Sequence, residues 1–244
     1  MIYERKISTG SYDLNKWLFG GYEKDIITTI YGPAGSGKTN FCILVTVSQA
    51  KKNNKVIFID TEGGFSVNRV KQIVKEDTEK ILKNIILLKP TNFDEQEKAF
   101  SQLLKELKNK SVSLIIIDGI TMLYRLELAE AIKNKDEYEI KKINSKLARQ
   151  MRTLAEIARK KLIPIVITNQ VYSKFLSEAE LKAGKEKEIS MVGGDLLKYW
   201  SKCLIELKND RGKRKAVLKK HRSLPEKELG FIITNRGIRK RGWI

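Results

Sequence analysis

The sequence predicts an α/β fold: a mostly parallel, twisted sheet flanked by helices, extended at its C-terminal side by antiparallel strands. Three observations carry this. Short runs rich in Ile and Val recur along the first two thirds of the chain. Segments of good helix formers with period 3.6 separate them, the alternation that builds βαβ units and a sheet buried on both faces. After Trp200 the rhythm changes to short alternating runs joined by turn residues such as Asn209-Asp210-Arg211-Gly212, which marks a meander.

Taken in order, strands are expected at 26–31, 55–60, 85–88, 113–118 and 163–168, and helices at 38–52, 66–75, 93–108 and 138–161. Further strands are expected at 202–207, 215–220 and 230–234. Two connections, 119–136 and 171–195, exceed ordinary loop length and are expected to be functional or mobile. With 244 residues and 41% hydrophobic content, one large core is expected. The domain reading is a single unit over 1–244: an opening segment over 1–22, an α/β core over 23–200 and basic antiparallel strands over 201–244.

Several function classes are excluded by simple counts. No apolar run of eighteen residues occurs, and the start MIYERKISTG lacks a hydrophobic stretch behind a basic end, so a membrane span and a secretory signal are not expected. A cytoplasmic location follows as the expectation, nucleoid-associated if the chain binds DNA. Cys42 and Cys203 lie far apart and His221 is the single histidine, so metal-ligand spacing is absent and both thiols are expected in the core.

The chemistry begins at Gly32-Pro33-Ala34-Gly35-Ser36-Gly37-Lys38-Thr39, which follows an apolar strand and opens a helix. In that context, backbone N–H groups and the helix N-terminus cradle phosphate, Lys38 reaches the outer phosphates, and Thr39 ligates magnesium; ATP and Mg2+ are the expected cofactors. Leu114-Ile115-Ile116-Ile117-Asp118 places a carboxylate at a strand end, where it would hold the metal's water. Glu62, beyond the strand 55–60 and followed by two glycines, could orient and deprotonate water as a general base. Gln170 ends another apolar strand with an amide that can donate to a terminal phosphate, and the long segment after it would feel that phosphate leave.

Net charge is +19, and residues 201–244 hold 14 Lys plus Arg against 4 Asp plus Glu, so +10 of it lies in this stretch. Lys213, Arg214 and Lys215 beside a turn, and Lys219, Lys220, His221 and Arg222 at a strand end, are the expected contacts to DNA, single-stranded and largely sequence-independent. Tyr172 and Trp243 could stack bases. The segments 119–136 and 171–195 are mixed in charge and less basic than a DNA loop should be.

These elements in this order, with Thr168-Asn169-Gln170-Val171 before a long loop and Met191-Val192-Gly193-Gly194-Asp195 closing it, resemble the RecA/RadA recombinase family over almost the whole chain. The resemblance implies a RecA-like P-loop NTPase core, and roles for Lys38, Thr39, Asp118, Glu62 and Gln170 that match those above. It places Arg69 over adenine. It also offers Lys220 and Arg222 a second task, reaching into a neighbouring subunit's nucleotide site, so a homo-oligomer is implied beside the DNA role. Archaeal and eukaryotic strand-exchange members carry an N-terminal helical DNA-binding domain and a tethering linker, and the match here starts almost at Met1. The expectation is therefore a short archaeal paralogue acting in homologous recombination and DNA repair as an accessory or mediator, with weak ATP hydrolysis, alongside a strand-exchange recombinase or other recombination proteins. The alternative is a nucleotide-gated scaffold or signalling ATPase of the same superfamily with little DNA contact.

Overall fold

The computed structural model describes residues 5–109, 111–173 and 189–242. Strands β1 (Lys6–Ile7) and β2 (Tyr22–Glu23) form a small antiparallel ribbon around helix α1 (Tyr12–Trp17). The core follows as β3 (Ile27–Gly32), α2 (Lys38–Ala50), β4 (Lys55–Asp60), α3 (Val67–Val74), α4 (Thr78–Leu82), β5 (Ile85–Leu88), α5 (Phe93–Asn109) and β6 (Val112–Asp118). Then come α6 (Met122–Lys133), α7 (Glu137–Lys161), β7 (Ile165–Ser173), β8 (Ile189–Met191) and α8 (Gly194–Trp200). The chain continues through β9 (Ser201–Asp210), β10 (Lys213–His221), β11 (Lys227–Thr234) and β12 (Gly237–Lys240).

The main sheet runs in the order β12-β11-β10-β9-β3-β7-β6-β4-β5, with β8 pairing β7. Strands β9, β3, β7, β6, β4 and β5 are mutually parallel, and β10, β11 and β12 turn back antiparallel. The expected mixed architecture is therefore present. Alternating strand residues feed two apolar layers: Val56, Phe58, Leu114 and Ile116 face α2 and α3, whereas Ile57, Ile59, Ile115 and Ile117 face α5 and α7. Burial of both faces explains why these strands read as unbroken Ile/Val runs. Cys42 and Cys203 are free thiols in the core, as expected.

Local chemistry sets the helix ends. Ser66 caps α3 by accepting from the Arg69 N–H at 3.2 Å, and Asp136 caps α7 by accepting from Glu139 N–H at 2.9 Å. Helix α7 stops at Leu162, whose φ of 53° is left-handed, two residues before Pro164. The connection expected over 119–136 is instead mostly helix α6. Residues Val171 to Ser173 pair with Ile189 to Met191, and 194–200 is helical; the intervening 174–188 lie outside the described residues, as do Trp243 and the side chain of Tyr172.

The opening segment is tied to the end of the meander. Ser11 Oγ donates to the Ile238 carbonyl at 2.7 Å and Asp13 accepts from the Lys240 N–H at 2.8 Å. Arg222, at the far end of β10, meets Glu23 and Asp25, each at 2.6 Å. Among the described residues no helix is long and apolar enough to cross a membrane.

Candidate functional site: a nucleotide pocket at one sheet edge

Parallel pairing alone brings the site residues to one edge. Gly32 lies opposite Gln170 between β3 and β7, and Asp60 opposite Asp118 between β4 and β6. Helix α2 starts at Gly37, with no side-chain cap and no acid in its first turn. Its first-turn N–H groups are thus left for a ligand, the arrangement that binds phosphate. Ala34, Gly35, Lys38, Thr39, Glu62 and Gln170 line the resulting pocket.

Lys38 is buried, and its Nζ donates to the carbonyls of Gly32 at 2.9 Å and Pro33 at 3.0 Å and to Gln170 Oε1 at 3.3 Å. Burial holds its ammonium below the usual lysine range, against the opposing pull of Glu62 and Asp118. Gln170 Nε2 in turn donates to both Glu62 oxygens, at 3.2 and 3.1 Å. The phosphate-reaching cation, the amide and the carboxylate therefore form one chain across the pocket.

Asp118 is fully buried. Its Oδ1 accepts from Thr168 Oγ1 at 2.6 Å, while Thr168 Oγ1 accepts from the Gly119 N–H at 2.7 Å. Its Oδ2 is buried beside the Thr39 hydroxyl, with no well-formed hydrogen bond among the described residues. An orphaned carboxylate oxygen beside the Thr39 hydroxyl is the donor chemistry a hydrated magnesium ion takes, since that ion keeps several waters and needs few protein oxygens. The residues present fit magnesium.

Burial pushes the Asp118 carboxyl up from 3.8 to about 6. A folded-state value above the ordinary one favours the neutral form, so the contribution to stability is complete below about pH 4 and is lost as pH rises through about 6. At pH 8 the metal-free fold carries a buried charge costing on the order of 3 kcal/mol. Asp118→Asn is expected to raise the melting temperature of the metal-free protein at pH 8 by several degrees, and to leave it nearly unchanged at pH 4, in paired thermal scans.

Two positioning residues were not among the sequence candidates. The Asp60 carboxylate accepts from the Gly64 N–H at 3.0 Å and the Phe65 N–H at 2.9 Å, folding the turn that carries Glu62. Thr168 fixes the Asp118 rotamer as described. The polar residues closing otherwise apolar strands were the available signal. Beyond Thr168, Asn169 links two elements: its Oδ1 accepts from Thr121 Oγ1 at the start of α6, and its Nδ2 donates to the Val192 carbonyl at 2.8 Å.

Arg69 does not line this pocket. Its Nε donates to Asn40 Oδ1 at 2.8 Å, its NH1 to Gln72 at 3.0 Å and its NH2 to the Thr234 carbonyl at 2.9 Å. Asn40 does line the pocket, so Arg69 stands one residue behind the rim.

The basic candidates separate in space. Lys213, Arg214 and Lys215 begin β10 at the pocket edge, whereas Lys219, Lys220, His221 and Arg222 end it at the opposite edge, where Lys220 pairs in register with Leu204 near the start of β9. Several are already engaged: Lys215 with Glu228 at 3.0 Å, Lys219 with Glu226, Arg222 with Glu23 and Asp25, and Lys220 with the Lys198 carbonyl at 2.7 Å. His221 Nδ1 accepts from the Ser223 N–H at 3.1 Å, and burial lowers its pKa. Lys213 is exposed.

The Rad51 family profile matches residues 4–241. The DNA repair and recombination protein RadB of Methanobrevibacter smithii is 41% identical over 238 residues, 96% of this chain and 95% of the relative. Its namesake from Methanocaldococcus jannaschii is 42% identical over 226 residues, covering 92% and 98% of the two chains. That of Methanosphaera stadtmanae is 41% identical over 241 residues, 97% of each.

Proposed function

This chain belongs to the Rad51 family, and on that premise we propose that it is an ATP-binding, DNA-binding recombinase paralogue that serves homologous recombination and DNA repair as an accessory with weak ATP hydrolysis. The observation carrying the reading is the chain Lys38–Gln170–Glu62 beside Asp118 at one sheet edge.

In this reading the phosphate loop and the first turn of α2 bind the triphosphate, and Lys38 turns its Nζ from the Gly32 and Pro33 carbonyls toward phosphate oxygens. Magnesium held by Thr39 and Asp118 would neutralise charge on the outer phosphates. Glu62 accepts the proton of the attacking water, and Gln170 holds Glu62 in place while reading the terminal phosphate. Asn169, next in the strand, hands that information to Thr121, which opens α6, and to Val192, which stands at the end of the 171–195 connection. An accessory role is supported by the basic face: Lys215, Lys219 and Arg222 are paired with acids of the same chain, which leaves fewer cations to neutralise phosphates.

The test is binding of a single-stranded oligonucleotide with and without ATP. Wild type is expected to change its affinity on adding ATP by about 5- to 100-fold, the ordinary range of such coupling, and Gln170→Ala to bind ATP yet lose that change. Wild-type DNA affinity that ignores ATP refutes the coupling, and no DNA binding near 50 mM salt refutes the DNA role.

A further inference from the structure

Resting on the nucleotide-binding reading, we propose that Arg214 is a nucleotide ligand that grips the α-phosphate, the end of the triphosphate remote from the group to be hydrolysed. Arg214 lies in the basic run of β10, yet its side chain lines the nucleotide pocket together with Ala34, Gly35, Lys38, Asn40 and Ile233.

The sheet order fixes which end it faces. The phosphate loop follows β3, with Gln170 on β7 to one side and Arg214 on β10, two strands away, to the other. Glu62, Gln170 and Asp118 all stand on the β7 side, so the terminal phosphate belongs there. Arg214 closes the opposite side. Ile233, from β11, packs against Gly37 at the start of α2, with its Cδ1 3.0 Å from where a Cβ on Gly37 would stand, so the extension reaches the loop itself.

Among the described residues the side chain is also without a partner. Its Nε is withdrawn from solvent and makes no hydrogen bond, and the guanidinium has no ion pair among the described residues. Lys215, Lys219 and Arg222 on the same strand each have an acid. A buried Nε–H with no acceptor is costly, and a phosphate that accepts two parallel N–H bonds satisfies the fork geometry of the half-exposed guanidinium. The antiparallel extension is thereby part of the nucleotide site as well as a bearer of surface charge.

The experiment titrates Mg-ATP and Mg-ADP into wild type, Arg214→Ala, Arg214→Lys and Gln170→Ala, with a thermal scan of each protein without nucleotide and a titration with a single-stranded oligonucleotide, also without nucleotide. Arg214→Ala is expected to weaken ATP and ADP by the same factor, about 10- to 100-fold, because both carry an α-phosphate. Arg214→Lys should recover only part of this, and neither the nucleotide-free melting temperature nor nucleotide-free DNA binding should fall. Unchanged ATP and ADP affinity in Arg214→Ala, or a loss confined to ATP, overturns the assignment. So does a fall in nucleotide-free DNA affinity with nucleotide affinity kept. Should the alanine variant not fold, Arg214→Lys and Arg214→Gln carry the same comparison. Wild type that binds ATP while Arg214→Ala binds it equally well leaves the functional reading standing and removes only this inference; wild type that binds neither nucleotide removes both.

Discussion

Replacing Lys38 with alanine is expected to abolish the stabilisation that ATP confers. A ligand present at a hundred times its dissociation constant stabilises the native state by about 2.7 kcal/mol. For a chain of this length that is a rise of roughly 5 to 10 °C in melting temperature. The variant should show none of it at the same ATP concentration, because the outer phosphates lose their cation in a pocket lined by Glu62 and close to the buried Asp118. Without nucleotide the variant should melt close to wild type, since the Gly32 and Pro33 carbonyls freed by the change can be hydrated. A persisting ATP shift in Lys38→Ala would show that the nucleotide sits elsewhere.

The second large effect is steric. Gly119 follows Asp118 with φ of 88°, and a Cβ there would stand 2.5 Å from Thr61 Oγ1 and 2.7 Å from Glu62 Cγ. Thr61 cannot give way easily, because its hydroxyl donates to the carbonyls of Asp118 at 2.9 Å and Gly119 at 2.7 Å. Gly119→Ala is therefore expected to displace Glu62 and cut ATP turnover by about a hundredfold, the usual result of an ångström's misplacement. Gly63→Ala is the control. It has a similar φ of 70° but open space around it, so it carries backbone strain without a clash. Steady-state hydrolysis by both variants decides the matter: equal losses would mean that strain, not the collision with Glu62, sets the effect.

Much of this site was legible in the sequence because its residues close strands buried on both faces. Continuous runs such as Val56 to Asp60 and Leu114 to Asp118 announce both the strand and the polar residue at its end. Helix α6 was not legible for the opposite reason. Met122, Leu126 and Ile132 are exposed while Leu123, Tyr124 and Ala131 are buried, so no clean apolar stripe repeats along it. Strand β12, at Gly237 to Lys240, was missed because two of its four residues are exposed cations. Charges counted along β10 cannot reveal that Arg222 will meet Glu23 across the fold, nor that Arg214 lines the nucleotide pocket while Lys213 and Lys215 are exposed.

The clasp between Ser11 and Ile238, and between Asp13 and Lys240, spans 227 positions in each case. A ribosome making this chain releases helix α1, with Leu14 and Trp17 that are buried in the finished molecule, long before strand β12 exists. The seal between the first helix and the last strand therefore closes only late in synthesis.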